Sequence, residues 1–399
     1  MDTFDRMWAD LAPIGRHPAT GGYRRYAWTR TDAELREWFR GEVRQRGLDV
    51  EPDRAGNLWA WTADPDTAAD AGRPGLAVGS HLDSVPDGGA FDGPLGVVSA
   101  FAALDLLRAG GSLPRRPLGI VCFGDEEGAR FGVACAGSRL LTGVLDPDRA
   151  RGLTDDDGTT LAEAVSAAGA DPRTLGRDDE ALRRVGTLVE LHVEQGRALA
   201  EVPGDRGAVG VAEAIWPHGR WRLDLLGRAD HAGTTRLADR QDPMLALAAA
   251  VLAARSAAER HGALATVGRV RVRPNGVNAI PAEVTAWLDA RGRAETVVRA
   301  VVAAVGTAAG TVPAEESWTP DTRFDPLLRD RLAALLAAPV LPTGAGHDAG
   351  ILSAAGIPTA MLFVRNPTGV SHSPAEHAEP ADCRAGVAAF ARVVEDLVC

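Results

Sequence analysis

The chain has 399 residues, which is more than one hydrophobic core usually serves, so two domains are expected. Its contents of 45% apolar and 24% charged residues are ordinary for a globular protein. The formal net charge of −11 argues against nucleic acid or an anionic membrane as a partner. The sequence contains no lysine, which excludes Schiff-base chemistry, a phosphate-loop lysine and a lysine general base.

Helices and strands alternate along the first half of the chain. A helix is predicted over residues 31–47, where Thr31 or Asp32 provides the cap and apolar side chains recur at helical spacing. The further predicted elements are a turn and strand within 56–61, strands at 76–80, 118–123 and 187–193, a helix at 95–109, and, near the C-terminal end, a strand at 358–364 and a helix at 383–398.

This alternation predicts an α/β fold with a largely parallel mixed sheet covered by helices. Functional groups then gather at the carboxyl ends of the strands. Residues 209–318 differ, because their predicted order is β-α-β-β-α, close to a ferredoxin-like motif. We therefore expect two domains, one of residues 1–208 and 319–399 and an inserted α+β domain of residues 209–318.

Five residues of the types that bind metals lie in, or just after, short apolar runs that end in turns. Three imidazoles and two carboxylates are too few for two separate closed metal sites. They suffice for two ions that share one carboxylate and leave positions open for water, which indicates a hydrolytic site. These residues are His81, Asp92, Glu127, His192 and His372.

Acidic residues in and beside this set have candidate roles of their own. Asp83 follows His81 by two residues and can accept a hydrogen bond from the second nitrogen of a ligating imidazole. Asp92 lies in a glycine-rich segment and can place one oxygen on each ion. Glu126 points away from its neighbour Glu127, so it can take a proton from water and pass it to a leaving nitrogen.

Each residue alone also has a plainer interpretation. A surface histidine, or one satisfied in the core, explains any single imidazole. An Asx-turn or helix cap explains Asp92, and a solvated acidic turn explains residues 125–127. The joint order of all five favours the metal site.

A second polar set lies mostly in the inserted domain. His231 has no acid arranged with it for ligation and is a candidate oxyanion donor, and Arg291 suits a carboxylate because its fork binds two oxygens. In the alternative, His231 and Asn278 cap turns and Arg291 pairs with a surface acid. In the first domain, backbone groups around Gly369 and Ser371 can hold a substrate carbonyl or carboxylate.

At these residues the chain resembles the dinuclear-metal amidohydrolases of the aminoacylase and carboxypeptidase type. The branch it resembles is the carbamoylase one, which contains allantoate amidohydrolase, N-carbamoyl-L-amino acid hydrolase and β-ureidopropionase. The matching stretches follow the family's order over nearly the whole chain: 79–86 (GSHLDSVP), 89–93 (GAFDG), 126–131 (EEGARF), 190–196 (ELHVEQG), 230–235 (DHAGTT), 346–349 (GHDA) and 371–374 (SHSP).

The resemblance implies two divalent metal ions per subunit, of zinc, manganese, cobalt or nickel. His81, Asp92 and His192 would hold one ion, and Asp92, Glu127 and His372 would hold the other.

The resemblance also implies that residues 1–208 and 319–399 form a phosphorylase/hydrolase-like catalytic domain that binds the metals. The inserted domain, residues 209–318, would be a dimerisation or lid domain through which a homodimer is built. His231, Asn278 and Arg291 of one subunit would reach the active site of the other, where Arg291 would grip the substrate carboxylate. Gln195 and His347 would line the pocket.

The resemblance carries one further implication and has two departures. In relatives the peptide after the bridging acid is cis, so the bond between residues 92 and 93 is predicted to be cis. Residues 365–366 (RN) and 216–219 (WPHG) depart from the branch's usual pattern, and both could reshape substrate choice.

The predicted function is hydrolysis of the carbamoyl or ureido C–N bond of a small carboxylate substrate, with ammonia and carbon dioxide among the products. The substrate is expected to be allantoate or an N-carbamoyl-L-amino acid. An aminoacylase or dipeptidase is the enzyme alternative, and the contexts of Gln195 and His231 count against it. A non-catalytic binding protein on this fold is the other alternative, against which Glu126 beside all five ligands argues.

The sequence also predicts a cytoplasmic protein with no membrane partner. Its cysteines contain no Cys-x-x-Cys pair, and the acidic N-terminal residues are no signal peptide. No window reaches the ~18 uncharged apolar residues of a membrane span.

Overall fold

The structure is a computed structural model that describes residues 3–112 and 114–399. It separates into two compact units, one of Met1–Glu213 and Arg323–Cys399 and one of Ala214–Thr322. The strands are β1 (Glu51–Pro52), β2 (Leu58–Trp61), β3 (Gly75–His81), β4 (Leu118–Phe123), β5 (Val185–Val193), β6 (Val209–Ile215), β7 (His218–Leu226), β8 (Asp230–His231), β9 (Leu264–Arg273), β10 (Ala279–Ile280), β11 (Glu283–Arg291), β12 (Ala314–Thr319), β13 (Thr322–Arg323), β14 (Val340–Thr343) and β15 (Thr359–Val364).

Helices connect most of these strands, and Pro at the first helical turn or a side-chain cap starts many of them. The α-helices are α1 (Thr3–Leu11), α2 (Arg30–Gln45), α3 (Pro65–Asp70), α4 (Pro94–Ala109), α5 (Ala136–Thr142), α6 (Pro147–Arg151), α7 (Leu161–Ala167), α8 (Asp179–Arg183), α9 (Pro243–His261), α10 (Glu295–Ala309), α11 (Pro326–Leu336), α12 (Asp348–Ala354) and α13 (Pro380–Val398).

The first unit is built on a nine-stranded sheet in the order β1-β2-β4-β3-β5-β15-β6-β13, with β14 paired to β6. The four central strands β4, β3, β5 and β15 are parallel. Nearly every residue of these four strands is buried, as expected for a parallel sheet covered on both faces. The predicted α/β fold is therefore confirmed, while antiparallel strands at both margins make the sheet mixed.

Helix α4 lies in the centre of this unit, and its burial is nearly complete. It packs with α13 and α1 in the same apolar core as the central strands. The predicted helix at 31–47 instead spans Arg30–Gln45, because Thr29 rather than Thr31 or Asp32 caps it and accepts the backbone N–H of Asp32.

The second unit has the order β7-α9-β9-β11-α10-β12 and an antiparallel sheet in the order β12-β7-β11-β9. This is the ferredoxin-like arrangement, with the last strand, β12, absent from the sequence prediction. Its core lies between the sheet and helices α9 and α10. Strand β9 pairs only with β11 in this sheet and so forms one of its edges.

No helix among residues 3–112 and 114–399 combines the length and apolar character that a bilayer crossing needs.

Gly79 in β3 allows the close packing that places His81 at the strand end. Its φ is +152°, and a Cβ added there would lie 1.9 Å from the carbonyl oxygen of Val121. We expect Gly79→Ala to lower the free energy of unfolding by about 3 kcal/mol, because the clash is with backbone that cannot move aside. Urea unfolding measures this change.

Gly41 provides the matched control. It lies inside α2, and an added Cβ there meets nothing within 4 Å. Gly41→Ala should raise the free energy of unfolding by about 0.5–1 kcal/mol. A Gly79→Ala protein as stable as Gly41→Ala would contradict the packing described.

Candidate metal centre

The five predicted metal ligands converge in the first unit as two groups that share one residue. His81, Asp92 and His192 form the first group, and Asp92, Glu127 and His372 form the second. The candidate ligand atoms of each group lie within 4.8 Å of one another. Asp92 belongs to both groups, as a shared carboxylate must.

The sheet delivers most of these side chains to one edge. His81 ends β3, His192 lies near the end of β5, and Glu127 follows β4 in a turn. Because these strands are parallel, their carboxyl ends meet at the same edge. Asp92 precedes Gly93, the N-cap of α4, where a Cβ would lie 2.5–2.7 Å from ring atoms of His81.

In the first group, two imidazole nitrogens face one carboxylate oxygen. His192 Nε2 lies 3.1 Å from Asp92 Oδ1, and His81 Nε2 lies 3.5 Å from the same oxygen. The Nδ1 atoms face the carbonyl oxygens of Val193 at 2.8 Å and Asp83 at 3.2 Å, so each Nδ1 carries a proton. Both Nε2 atoms are buried without a hydrogen-bond partner. A cation between these lone pairs and the carboxylate satisfies all three groups, so the donor set fits a metal ion.

The second group is more open. His372 Nε2 lies 3.4 Å from Asp92 Oδ2 and 3.6 Å from Glu127 Oε2, and the His372 side chain is half exposed. His372 lies on a loop after β15 with φ +54°, outside regular structure. Glu127 Oε1 is buried and has no hydrogen-bond partner. The exposed side of His372 leaves this group accessible to small molecules.

The pKa values of two ligands describe the electrostatics of the centre. Burial lowers the pKa of His81, but the charge of Glu126 and the contacts with Asp83 and Asp92 outweigh it and raise this pKa well above its ordinary value. Burial and the charge of Asp92 raise the pKa of Glu127 to about 7. The raised pKa of His81, and the part of the rise at Glu127 that Asp92 causes, indicate surplus negative charge, which divalent cations offset.

Glu126 stands beside the first group without belonging to it. Its Oε2 lies 3.8 Å from His81 Nε2, and its Oε1 accepts the thiol of Cys135 at 3.4 Å. Burial raises the pKa of Glu126 well above its ordinary value, although the charge of His81 opposes this rise. A carboxyl group poised in this way can both accept and return a proton.

Asp83 acts differently from the prediction. Its carboxylate accepts the backbone N–H groups of Glu126 at 3.2 Å and of Glu127 at 3.0 Å. The carboxylate approaches His81 Nδ1 only to 3.5 Å, and the carbonyl oxygen of Asp83 faces that nitrogen at 3.2 Å instead. Asp83 therefore fixes the acidic turn through its side chain and the imidazole through its backbone.

Comparison with known protein families identifies the family of this chain. Peptidase family M20/M25/M40 matches residues 77–396. The chain belongs to this family. The resemblance inferred from the motifs is thereby confirmed.

Two relatives of this chain are named amidohydrolases. The chain is 37% identical to the N-carbamoyl-L-amino acid amidohydrolase of Geobacillus stearothermophilus, over 96% of this chain and 95% of that protein. It is 31% identical to the allantoate amidohydrolase of Escherichia coli K12, over 97% of this chain and 95% of that protein. A solved amidase of the hydantoinase/carbamoylase family from Burkholderia vietnamiensis superposes with a TM-score of 0.89 at 28% identity, covering 99% of this chain and 97% of that one.

In this M20/M25/M40 protein, two predicted substrate-binding residues contact the second ligand group. Gln195 Nε2 donates to Asp92 Oδ2 at 2.8 Å and lies 3.4 Å from His372 Nε2, while Gln195 Oε1 is buried without a partner. Ser371 Oγ donates to the same Asp92 oxygen at 3.2 Å. His347 is buried, and its ring centroid lies 4.5 Å from that of His192.

Gly369 lies in the loop that leads to His372. Its φ is +68°, and its N–H donates to Asn366 Oδ1 at 2.9 Å. The departure at residues 365–366 therefore has a local role, because Asn366 shapes this loop and Arg365 pairs with Asp382 at 2.8 Å.

The remaining predicted residues lie in the second unit. His231 is exposed, and its Nδ1 accepts the N–H of Gly233 at 3.0 Å. Asn278 is exposed, and its carbonyl accepts the N–H of Ala232. Arg291 donates Nε to Asp289 Oδ1 at 2.7 Å and Nη2 to Oδ2 at 3.0 Å. The alternative expectation, that these residues serve turns and an acid pair, thus describes their contacts within this unit.

The predicted cis peptide bond is wrong, and two buried contacts were missed. The bond between residues 92 and 93 is not cis; among the described residues the cis bond is Arg273–Pro274. Gly93 instead accommodates the backbone with φ +85°. Cys135 and Glu376 were not predicted to contact the site, because no local sequence pattern indicates such a contact.

Asp83→Asn tests the attachment of the acidic turn. An amide offers one oxygen where the carboxylate offers two, so one buried N–H loses its acceptor. The free energy of unfolding should fall by about 1–3 kcal/mol. Asp179→Asn, at an exposed pair with Arg177, is the control and should change it by less than about 0.5 kcal/mol. Equal effects of the two substitutions in urea unfolding would contradict this role of Asp83.

Proposed function

We propose that this protein hydrolyses the carbamoyl or ureido C–N bond of a small carboxylate-bearing substrate, either an N-carbamoyl-L-amino acid or allantoate. The observation that carries the proposal is Glu126 at 3.8 Å from His81, beside two ligand groups that share Asp92. Relatives named for these two activities, each covering more than nine-tenths of the chain, support the substrate class. Allantoate as substrate would place the enzyme in purine catabolism.

We infer that the two ligand groups hold two divalent cations, of zinc, manganese, cobalt or nickel. Mixed imidazole and carboxylate ligands suit these ions, and sharing of Asp92 leaves open positions. When bound, such ions polarise the scissile carbonyl and lower the pKa of a water molecule toward neutrality.

Glu126 takes the proton of the attacking water and delivers it to the departing nitrogen. The raised pKa of Glu126 from burial suits a group that must bind and release one proton in a single turnover. The carbamic acid so formed decomposes to ammonia and carbon dioxide. Gln195 Oε1, a buried acceptor without a partner, is available to an N–H group of the ureido moiety.

His231 supplies the oxyanion donor. Because the N–H of Gly233 donates to His231 Nδ1, the neutral imidazole must carry its own proton on Nε2. The exposed ring therefore presents an N–H donor, worth about 3 kcal/mol to a tetrahedral oxyanion. Arg291, whose guanidinium Asp289 orients at 2.7 Å, grips the substrate carboxylate. Asn278 immediately precedes β10, which pairs with the strand β8 that contains His231.

We propose that the protein is a homodimer in which His231, Asn278 and Arg291 act in the partner's site. The second unit offers a surface for a second copy, since edge strand β9 pairs on one side only. Helix α9 in the same unit exposes Leu245 and Leu252, each 72% accessible, and β9 exposes Leu264.

The cysteines are all unpaired, which supports a reducing, cytoplasmic location.

Ammonia release from a panel of substrates tests the function. The metal-free enzyme is reconstituted with Zn²⁺, Mn²⁺, Co²⁺ or Ni²⁺ and offered N-carbamoyl-L-amino acids, β-ureido acids and allantoate. N-acetyl amino acids and dipeptides, which an aminoacylase or dipeptidase would cleave, are the controls. Glu126→Gln should bind the same number of ions but lose at least about a thousandfold in kcat, because the proton acceptor is gone. Full activity of Glu126→Gln, or cleavage of the controls alone, would overturn the proposal.

Subunit mixing tests the shared active site. Glu126→Gln and His231→Ala are each expected to be nearly inactive, but a mixed dimer contains one site with both residues intact. Unfolding and refolding a 1:1 mixture should therefore restore about a quarter of wild-type activity. Glu126→Gln mixed with His192→Ala, both in the first unit, provides the control without complementation. No recovery in the first mixture would show that His231 acts within its own chain or not at all.

A further inference from the structure

Glu376 is buried between the two loops that supply Asp92 and His372. Its Oε2 accepts the backbone N–H groups of Phe91 at 2.8 Å and Asp92 at 3.1 Å. Its Oε1 lies 3.1 Å from Ser371 Oγ, and the same hydroxyl lies 3.2 Å from Asp92 Oδ2. One carboxylate thus joins the backbone of the shared ligand to the residue before His372.

The fit around this carboxylate is tight. A Cβ added at Gly89 would lie 2.2 Å from Glu376 Oε2 and 2.4 Å from its Cβ. The loop before Asp92 therefore wraps closely around the Glu376 side chain, which is only 5% exposed. A hydrogen-bonded group enclosed in this way fixes the position of the backbone that surrounds it.

The two ligand groups depend on this link to different degrees. In the first group, His81 and His192 lie on central strands, and main-chain carbonyls orient both rings. In the second group, His372 lies on a loop with φ +54° and a half-exposed side chain. Glu376, Ser371 and Gln195 join this loop to Asp92, so the geometry of the second group depends on them.

We propose that Glu376 is a positioning residue that sets the spacing of Asp92 and His372 and thereby determines the affinity of the second ligand group for its cation. It touches neither substrate nor cation, and it acts through the backbone of Asp92 and the hydroxyl of Ser371. This inference rests on the proposed two-ion function.

A simple charge effect is the competing explanation, since any buried carboxylate near the centre attracts cations. Glu376→Gln separates the two explanations. The amide oxygen can accept both backbone N–H groups and the amide nitrogen can donate to Ser371 Oγ, so the link survives while the charge is lost. Glu376→Ala removes the link and the charge together.

Titration of the metal-free protein with Zn²⁺ in a calorimeter, with a competing chelator, tests the proposal. Wild type should bind two ions per chain. Glu376→Ala should keep one tight ion and bind the second at least about tenfold more weakly, as for other residues that orient metal ligands. Its kcat should fall by a similar factor with KM changed less, while Glu376→Gln should stay within about threefold of wild type in each measurement.

Two further variants keep the test decisive. Ser371→Ala cuts the link from the other loop and should also weaken the second ion, even if Glu376→Ala fails to fold. Glu379→Gln removes an exposed acid three residues away, paired with His377 at 3.1 Å, and should behave as wild type. The metal-free melting temperature reports folding separately from ion binding.

The outcomes distinguish this inference from the proposed function. Wild type that binds no second ion would overturn the two-ion function. Wild type that binds two ions, with Glu376→Ala binding both as tightly, would overturn only the role of Glu376. Glu376→Gln as damaged as Glu376→Ala would assign the effect to charge and refute positioning.

Discussion

The buried lone pairs of two imidazoles directed at one carboxylate are the constraint on which the rest of the site depends. His81 Nε2 and His192 Nε2 lie within 3.5 Å of Asp92 Oδ1, have no hydrogen-bond partner and are shielded from water. Such an arrangement is unfavourable unless positive charge lies between the groups. Main-chain carbonyls keep protons on both Nδ1 atoms, so the backbone itself directs the free nitrogens inward.

The parallel sheet explains how this arrangement is built. Adjacent parallel strands bring residues that are distant in the chain to one edge, and their apolar interiors provide the core that fixes the ends. The acidic turn after β4 is then tied down from outside the strand. Asp83 accepts the N–H groups of Glu126 and Glu127, and Asn57 Oδ1 accepts the N–H of Gly124 at 2.9 Å. Adjacent glutamates can thus face different groups.

The second ligand group is positioned in a different way, because His372 lies on a loop rather than on a strand. Side-chain hydrogen bonds replace the sheet as the means of positioning, through Ser371, Glu376 and Gln195. A centre with one rigid and one loop-borne group combines a fixed site with an accessible one. Hydrolysis needs such accessibility, since the substrate must reach the open positions beside the carboxylate that the two ligand groups share.

Much of the fold was predictable from sequence because apolar runs and helical periodicity are local signals. The strand at 118–123 was placed to the residue, and the helix predicted at 95–109 begins only one residue earlier, at Pro94. The short strands β13 and β14 escaped prediction, since strands of this length take their form from a neighbouring strand rather than from their own pattern.

The sequence by itself determined the α/β architecture, the five candidate ligands and the acid beside them, because each depends on residue type and local pattern. Only the tertiary structure decided which hydrogen bonds hold these groups. Asp83 binds the backbone of the glutamate turn, Cys135 contacts Glu126, and Glu376 binds the backbone of Asp92 across a separation of 284 residues. Contacts across such sequence distances depend on how the chain packs, and no local pattern encodes them.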